Sequence, residues 1–331
     1  MAPERHIVVI GGMNMDLVCK AAVAPRPGET VVGESFYKGL GGKGANQAIM
    51  AARLGAPVSF VGRVGDDEFG REMLAAMRAN GVSTDYMRVV DGCSSGIALI
   101  IVDAKAQNQI VVIPGANDRL EPKDITDAEE LIAKSSLMVT QFESPLETVE
   151  TAINVAAEHG VPVILNPAPV ITQKISPSTL KKVQMLVPNE TEAEALTGVK
   201  QDVPDFAMAA AGSLREIGVE RVIVTLGDVG SVIADPQTLK RIPAYKVTPI
   251  DTTAAGDAFV GALAAGYFLF DELEMLARFA SAAGALAVTK KGSQVSLPSR
   301  QDLERFLSQH DSALLSHFQH KPSDNNHDYS P

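Results

Sequence analysis

The chain has 331 residues, of which 46% are hydrophobic, 21% charged and 5% aromatic, a makeup that suits a globular protein and excludes a disordered or collagenous one. A formal net charge of −11 argues against nucleic acid or an anionic membrane surface as the main partner, although an anionic small ligand sees only its local pocket. Cys19 and Cys93 stand far apart in no metal-ligand spacing, and the longest apolar run, Ala258–Phe270, falls short of a bilayer span. Residues Met1–Ile10 lack a signal-peptide layout, so a cytoplasmic location is expected.

Taken in order, His6–Gly11 (HIVVIG) reads as a buried strand ending on a Gly pair, which points to a parallel sheet. The next stretch, about Leu17–Leu40, carries scattered Pro and Gly with short β-prone pieces instead of the helix expected there. Ala45–Leu54 is helical with Gly55 as its stop, Val58–Val64 is a strand, and Asp67–Asn80 is an amphipathic helix closed by Gly81. Gly96–Val102 and Gln109–Pro114 read as a hairpin. Helix and strand then alternate: Pro122–Lys134, Leu137–Gln141, Leu146–Glu158, Val161–Leu165, Met185–Val187, Thr191–Leu196, Asp205–Ile217 and Arg221–Leu226. A hairpin-like Gly230–Val247 precedes helices Ala255–Phe270, Glu272–Val288 and Arg300–Phe318.

That alternation implies an α/β fold with a central, mostly parallel sheet covered by helices on both faces. The two β-rich interruptions, about residues 17–40 and 94–114, are read as one small sheet built from separate segments, placed as a lid or a dimer contact. Residues 1–310 form one domain on this reading. Residues 311–331, polar and with Pro and four His in or near them, are expected to be a disordered, solvated tail.

Absent motifs narrow the chemistry. Outside the C-terminal stretch the only His are His6 and His159, which disfavours a Ser-His-Asp or Cys-His machine. HExxH, CxxC, GxxxxGK[ST] and GxGxxG are missing, so a metalloprotease, a P-loop NTPase and a nicotinamide dehydrogenase are disfavoured.

Five local signals remain. Asp251-Thr-Thr-Ala-Ala-Gly-Asp257 runs into an apolar helix. Small residues there leave backbone N–H groups uncovered at the positive end of the helix dipole, an anion hole, and Asp257 can take a proton from an attacking hydroxyl. The bland alternative is that Asp257 caps the helix and Asp251 is a surface turn residue. Gly39–Asn46 (GLGGKGAN) has four Gly in six residues before a helix, with Lys43 for charge and Asn46 for hydroxyls; it reads equally as a flexible loop. Asn14 and Asp16, after the first strand, can clamp neighbouring hydroxyls or stabilise a turn, and Glu143 after Leu137–Gln141 has the same two readings. Asn189 and Glu192, three apart at a helix start, can hold hydrated Mg²⁺ near phosphates or simply cap the helix. The turn Thr225-Leu226-Gly227-Asp228-Val229-Gly230 can admit a nucleotide and is weak alone. All five sit at carboxyl ends of expected strands, and one chemistry accounts for them together.

At these residues the chain resembles the ribokinase-like (PfkB) family of carbohydrate kinases. GGKGANQA and DTTAAGDAF look like its two signatures, and the likeness spans about residues 5–310, including VPNETEAE, NPAP and QFESP. Asn14-x-Asp16, GGKGAN, Glu143 and Pro114–Asn117 (PGAN) match the pattern of its ribose-phosphorylating members. The resemblance implies ATP-dependent phosphorylation of D-ribose at the 5-hydroxyl, with Asp257 as base and Ala254, Ala255 and Gly256 as anion hole. It implies ribose contacts from Asn14, Asp16, Gly42, Lys43, Asn46, Glu143 and Asp257. Nucleotide contacts fall to Asn189, the Thr225–Gly230 turn, Ala255, Gly256 and Ser281, with Glu192 in the Mg²⁺ region. An activating K⁺ would take oxygens of Asp251, Thr253, Ala287, Lys290, Gly292 and Ser296. A homodimer through the β lid is implied as well. Two departures stand out: Ala254 replaces the usual Gly, and Ser281 replaces a larger polar residue. A kinase for deoxyribose or another sugar, and a sugar-binding regulator, are the rival readings; paired Asn14 and Asp16 favour ribose, and an intact Asp257 disfavours the regulator.

Overall fold

The computed structural model describes residues 5–105 and 107–320. Its strands are β1 (Ile7–Ile10), β2 (Asn14–Ala21), β3 (Gly33–Gly41), β4 (Val58–Gly65), β5 (Val82–Val90), β6 (Gly96–Val102), β7 (Asn108–Ile113), β8 (Leu137–Thr140), β9 (Val163–Leu165), β10 (Met185–Leu186), β11 (Arg221–Thr225), β12 (Gly230–Ala234) and β13 (Leu239–Pro243). Its helices are α1 (Lys43–Arg53), α2 (Glu68–Ala79), α3 (Pro122–Asp127), α4 (Glu129–Lys134), α5 (Leu146–Glu158), α6 (Pro177–Leu180), α7 (Glu190–Thr197), α8 (Phe206–Ile217), α9 (Ala255–Gly266), α10 (Leu273–Ala287), α11 (Arg300–His310) and α12 (Ser312–His320).

Short apolar runs such as IVVI and LMVT become strands buried on both faces, which is possible only inside a helix-covered sheet. The main sheet has the order β13-β12-β11-β10-β9-β8-β1-β4-β5, parallel from β11 to β5 and antiparallel at β12 and β13. Successive residues of β1 feed opposite faces: Ile7 and Val9 join a core under α1, α9, α10 and α11, while Val8 and Ile10 join one under α5 and α8. The expected α/β sheet with helices on both faces is thus observed. The second sheet, in the order β3-β2-β6-β7, unites the two expected β-rich segments through parallel pairing of β2 with β6. Cys19 and Cys93 are free thiols.

Four expectations change. The strand β5 was not expected from VSTDYMRVV, whose half-buried face carries polar residues. The helix expected over Pro122–Lys134 is two helices meeting at Ala128. Asn14 and Asp16 lie in β2, the first strand of the small sheet, and not in a turn at the carboxyl end of β1. A tail is not what residues 312–320 form: the helical run expected to Phe318 resumes after a break at Asp311 as α12 (Ser312–His320), with Leu314 and Phe318 buried and the Phe318 ring 4.9 Å from Phe279. Asp311, which breaks the helix run, is itself buried, bonded to Tyr245 Oη (2.7 Å) and paired with Arg278. Residues 321–331 lie outside the described residues. Among the described residues no helix is long and apolar enough to cross a membrane.

Candidate active site

The site begins where α9 does. Ala254 is the N-cap residue, in the left-handed region at φ 60°, and makes no side-chain capping bond; the Ala255 N–H reaches Thr252 O (3.3 Å), and no side chain caps the N–H groups that follow. Asp257 sits three residues further in and is not the cap. Its carboxylate accepts from Asn46 Nδ2 (2.8 Å) and Gln47 Nε2 (3.2 Å) of α1. All three side chains are buried. Gly261 makes this grip possible, because a Cβ there would stand 2.6 Å from the Gln47 carbonyl oxygen and 2.5 Å from Met50 Cβ. Only a bare backbone lets α1 and α9 approach so closely. The helix-cap reading of Asp257 is therefore set aside.

The small sheet supplies the opposite wall. Asn117, just after β7, bonds both backbone groups of Met13 (3.0 Å each) and donates to Asn14 Oδ1 (2.9 Å), which fixes the Asn14 amide. Asn14 Nδ2 points to Glu143 Oε1 (3.4 Å), and Glu143 Oε2 accepts from the Lys43 backbone N (2.6 Å). Glu143 thus satisfies the first N–H of α1, whose N-cap Gly42 holds φ 90°. Asp16 accepts from Ser293 Oγ (3.0 Å), linking β2 to the loop after α10. Burial pushes the Asp16 carboxyl up to about 6; the Ser293 hydroxyl opposes the rise and the Asp257 charge adds to it. Burial likewise pushes Glu143 up to about 7, with Lys43 opposing and Asp257 adding. Burial lowers the affinity of Lys43 for its proton, but the facing carboxylates Asp257, Glu143 and Glu192 outweigh that and leave it raised. Asp16, Lys43, Glu143, Glu192 and Asp257 therefore share one electrostatic environment.

The remaining expected residues flank this cluster. Asn189 and Glu192 form a reciprocal capping box at α7: Asn189 Oδ1 accepts from the Glu192 N (2.9 Å) and Glu192 Oε2 from the Asn189 N (2.9 Å). Asn189 Nδ2 reaches Glu192 Oε1 as well (3.0 Å), so the capping reading of this pair is observed. Burial raises the Glu192 carboxyl. Asn189 bridges to Thr225, and the turn closes through Leu226 N to Gly230 O (2.8 Å), with Gly227, Asp228 and Val229 exposed at its tip. Asp251 is no bare surface turn residue. It accepts from Thr253 N (3.0 Å), Thr253 Oγ1 (2.6 Å) and Gly292 N (2.9 Å), tying the segment before α9 to the loop after α10. Desolvation would raise its carboxyl, and these bonds hold it below the ordinary range instead. Ser296 Oγ donates to Ser293 O, Ala287 is buried, and the Lys290 side chain turns outward to Asp302 (3.6 Å). Ser281 lies on α10 one turn before Gly284, where a Cβ would be 3.3 Å from Ala255 O.

Residues that sequence reading did not assign complete the arrangement: Gln47, Gln141, Asn166, Asn117 and Ser293. The available signal was a polar residue at the end of a buried strand (Gln141, Asn166) or beside a motif residue (Gln47). Asn117 lies in the PGAN stretch and Ser293 between Gly292 and Ser296, both among the stretches already singled out, but neither side chain had a role of its own assigned.

A protein-family model described as pfkB family carbohydrate kinase matches residues 4–300. The chain belongs to the pfkB family of carbohydrate kinases. This kinase is 39% identical over 304 residues to a ribokinase of Haemophilus influenzae, a match covering 92% of this chain and 99% of that one. It is 40% identical over 302 residues to a deoxyribokinase of Salmonella typhi, covering 91% and 98%. Among solved structures, Arabidopsis thaliana ribokinase complexed with ribose and ATP matches with a TM-score of 0.86 at 32% identity, covering 93% of this chain and 99% of that one.

Proposed function

We propose that this kinase transfers the γ-phosphoryl group of ATP to the 5-hydroxyl of D-ribose, giving D-ribose 5-phosphate and ADP. The observation that carries the reading is Asp257. A carboxylate held by two amide donors stands in the first turn of a helix whose leading N–H groups no side chain caps. Asp257 takes the hydroxyl proton as the oxygen attacks in line, and the backbone of Ala254, Ala255 and Gly256 meets the negative charge that develops on the phosphoryl oxygens. Asn14, Asp16, Gly42, Lys43, Asn46 and Glu143 hold the sugar. Asn46 Oδ1, buried and without a hydrogen-bond partner, is an acceptor waiting for a hydroxyl. Asn189, the Thr225–Gly230 turn and Ser281 take the nucleotide.

Two ions fit the residues present. The two segments that Asp251 ties together offer hard oxygens of Asp251, Thr253, Ala287, Lys290, Gly292 and Ser296, a donor set suited to K⁺. Glu192 has both oxygens engaged by Asn189, which suits a hydrated Mg²⁺ held at one remove rather than a direct ligand. When bound, the two ions supply positive charge near the transferring phosphoryl group. The small sheet closes over the sugar and pairs two copies, a reading supported by exposed Phe36, Leu99, Ile110, Val111 and Val112 on it.

The 40% identity to a deoxyribokinase keeps 2-deoxy-D-ribose as the second reading. Coupled ADP release with Mg-ATP and K⁺, run on D-ribose, 2-deoxy-D-ribose and D-fructose, separates them. The expected result is at least a tenfold higher kcat/KM for ribose, because the site would leave buried polar groups unpaired when a hydroxyl is missing. Preference for 2-deoxy-D-ribose would replace the substrate and keep the chemistry. Asp257→Asn is expected to lower kcat by about 10²-fold or more while sugar still binds.

A further inference from the structure

Beneath Asp257 lies a chain of buried amides of which the mechanism above uses only the Gln47 donor. Gln47 has two N–H groups and one oxygen, and all three are engaged. Nε2 donates to Asp257 Oδ1 (3.2 Å) and to Asn166 Oδ1 (3.0 Å), and Oε1 accepts from Gln141 Nε2 (2.7 Å). Asn166 cannot present its nitrogen instead, since its Nδ2 is committed to the Val187 carbonyl (2.9 Å). A Gln47 amide turned over would set its oxygen against two acceptor oxygens and its N–H groups against those of Gln141. One orientation survives, and it aims an N–H at Asp257.

Gln141 is costly to keep for packing alone. Its Oε1 is buried without a hydrogen-bond partner, wedged where a Cβ on Gly11 or Gly44 would stand 2.1 or 3.0 Å away. A thioether side chain of similar length would fill that slot without stranding an oxygen. The group that Gln141 adds is the N–H it gives to Gln47. Asp257 in turn needs outside support, because rotation about the bond to a carboxylate is soft and has no preferred staggered well. With Asn46 on Oδ2 and Gln47 on Oδ1, both oxygens are held and the carboxylate plane is fixed.

We propose that Gln47, held in one orientation by Gln141 and Asn166, is a positioning residue that fixes the carboxylate plane of Asp257 for proton abstraction. The inference rests on the reading of Asp257 as the base. None of the three amides touches the sugar on this reading, so the relay acts on kcat and leaves sugar binding alone. Gln141 acts only through Gln47, so the two are not independent.

The test is steady-state kinetics on Gln47→Met, Gln141→Met and the double variant, with Asp257→Asn alongside, using D-ribose and Mg-ATP. The expected result is a fall in kcat of about tenfold for Gln141→Met and about 30- to 100-fold for Gln47→Met, with KM for ribose within about twofold, since small misplacements of a base cost rate rather than affinity. The double variant is expected to turn over no more slowly than Gln47→Met, because Gln141 has nothing left to orient. If either Met variant fails to fold, Gln141→Leu or Gln47→Leu removes the donor without adding a charge beside Asp257, and the same losses are expected. A Gln141→Met enzyme with kcat within twofold of the parent, or a double variant whose loss is the product of the single losses, overturns the relay while leaving the base in place. An Asp257→Asn enzyme with parental turnover overturns the base reading itself, and the relay falls with it.

Discussion

Gly261→Ala puts one methyl group into the closest contact between α1 and α9. Its ideal Cβ stands 2.5 Å from Met50 Cβ and 2.6 Å from the Gln47 carbonyl oxygen, whereas carbon contacts relax to roughly 3.5–4.0 Å. The carbonyl belongs to the α1 backbone and cannot swing aside, so the helices must part by about 1 Å. Overpacking of this kind costs about 1–3 kcal/mol, and the better helix propensity of Ala returns up to about 1 kcal/mol. The net loss lowers Tm by about 2–5 °C on differential scanning calorimetry. Turnover suffers more. The residue pushed outward is Gln47, and with it Asn46, so the 2.8 and 3.2 Å bonds to Asp257 lengthen past hydrogen-bonding range. A misplacement of about 1 Å is worth about 10²-fold in rate, and kcat in coupled ADP release is expected to fall by about 30- to 100-fold. Gly212→Ala on α8, where nothing lies within 4 Å of the added Cβ, is the control and should leave kcat unchanged with a small gain in Tm. A Gly261→Ala enzyme with lowered Tm but parental kcat would refute the argument that the α1 grip on Asp257 matters for the reaction.

Ala254 pays a left-handed penalty at φ 60° that glycine does not, so Ala254→Gly is expected to raise stability by about 0.5–1 kcal/mol, read as a higher urea midpoint at unchanged m. Asp16 at about 6 and Glu143 at about 7 must both be ionised to accept sugar hydroxyls, so kcat/KM for ribose should climb from pH 5.5 to about 8 and then level. Glu143→Gln should flatten the upper part of that climb, and Ser293→Ala, by removing a bond that favours ionised Asp16, should move the lower part to higher pH. In the unliganded chain, a Glu143 carboxyl raised from 4.5 to about 7 means that the folded state keeps a proton the unfolded chain has released. Its contribution to stability is therefore present below pH 4.5 and lost as the pH rises towards 7. A pH-independent kcat/KM across this window would remove both carboxyls from sugar binding.

Much of the architecture was legible along the chain, because strand and helix announce themselves by local period. The buried runs, their helices and the two β-rich interruptions needed no tertiary information. Elements were misread where local pattern is weak. The strand β5 mixes polar and apolar residues on a half-buried face, and the helix expected over Arg300–Phe318 breaks at Asp311, which turns inward to Arg278 and Tyr245 and accepts from Leu314 N at the start of α12. Asn14 and Asp16 were recognised as polar residues near a strand end, but their membership of β2 depends on pairing with β3 and β6, which are remote in sequence.

The site divides along the same line. Small residues before an apolar helix are a local property, so Asp251–Asp257 and Gly39–Asn46 could be picked out by composition alone, and the family resemblance rests on those same residues. Which atoms they bond was decided by the fold. Asp257 could have been a cap or a base from its sequence position, and the cap is ruled out by the fold, in which amides 210 and 211 residues away take its carboxylate. The partners of Gln47 lie 94 and 119 residues off, in the separate QFESP and NPAP stretches, and nothing local to those stretches says that their amides meet. Sequence fixes which side chains carry chemistry, because that is covalent. Their orientation waits on close approach between segments such as α1 and α9, which a bare backbone at Gly261 permits and no local pattern encodes.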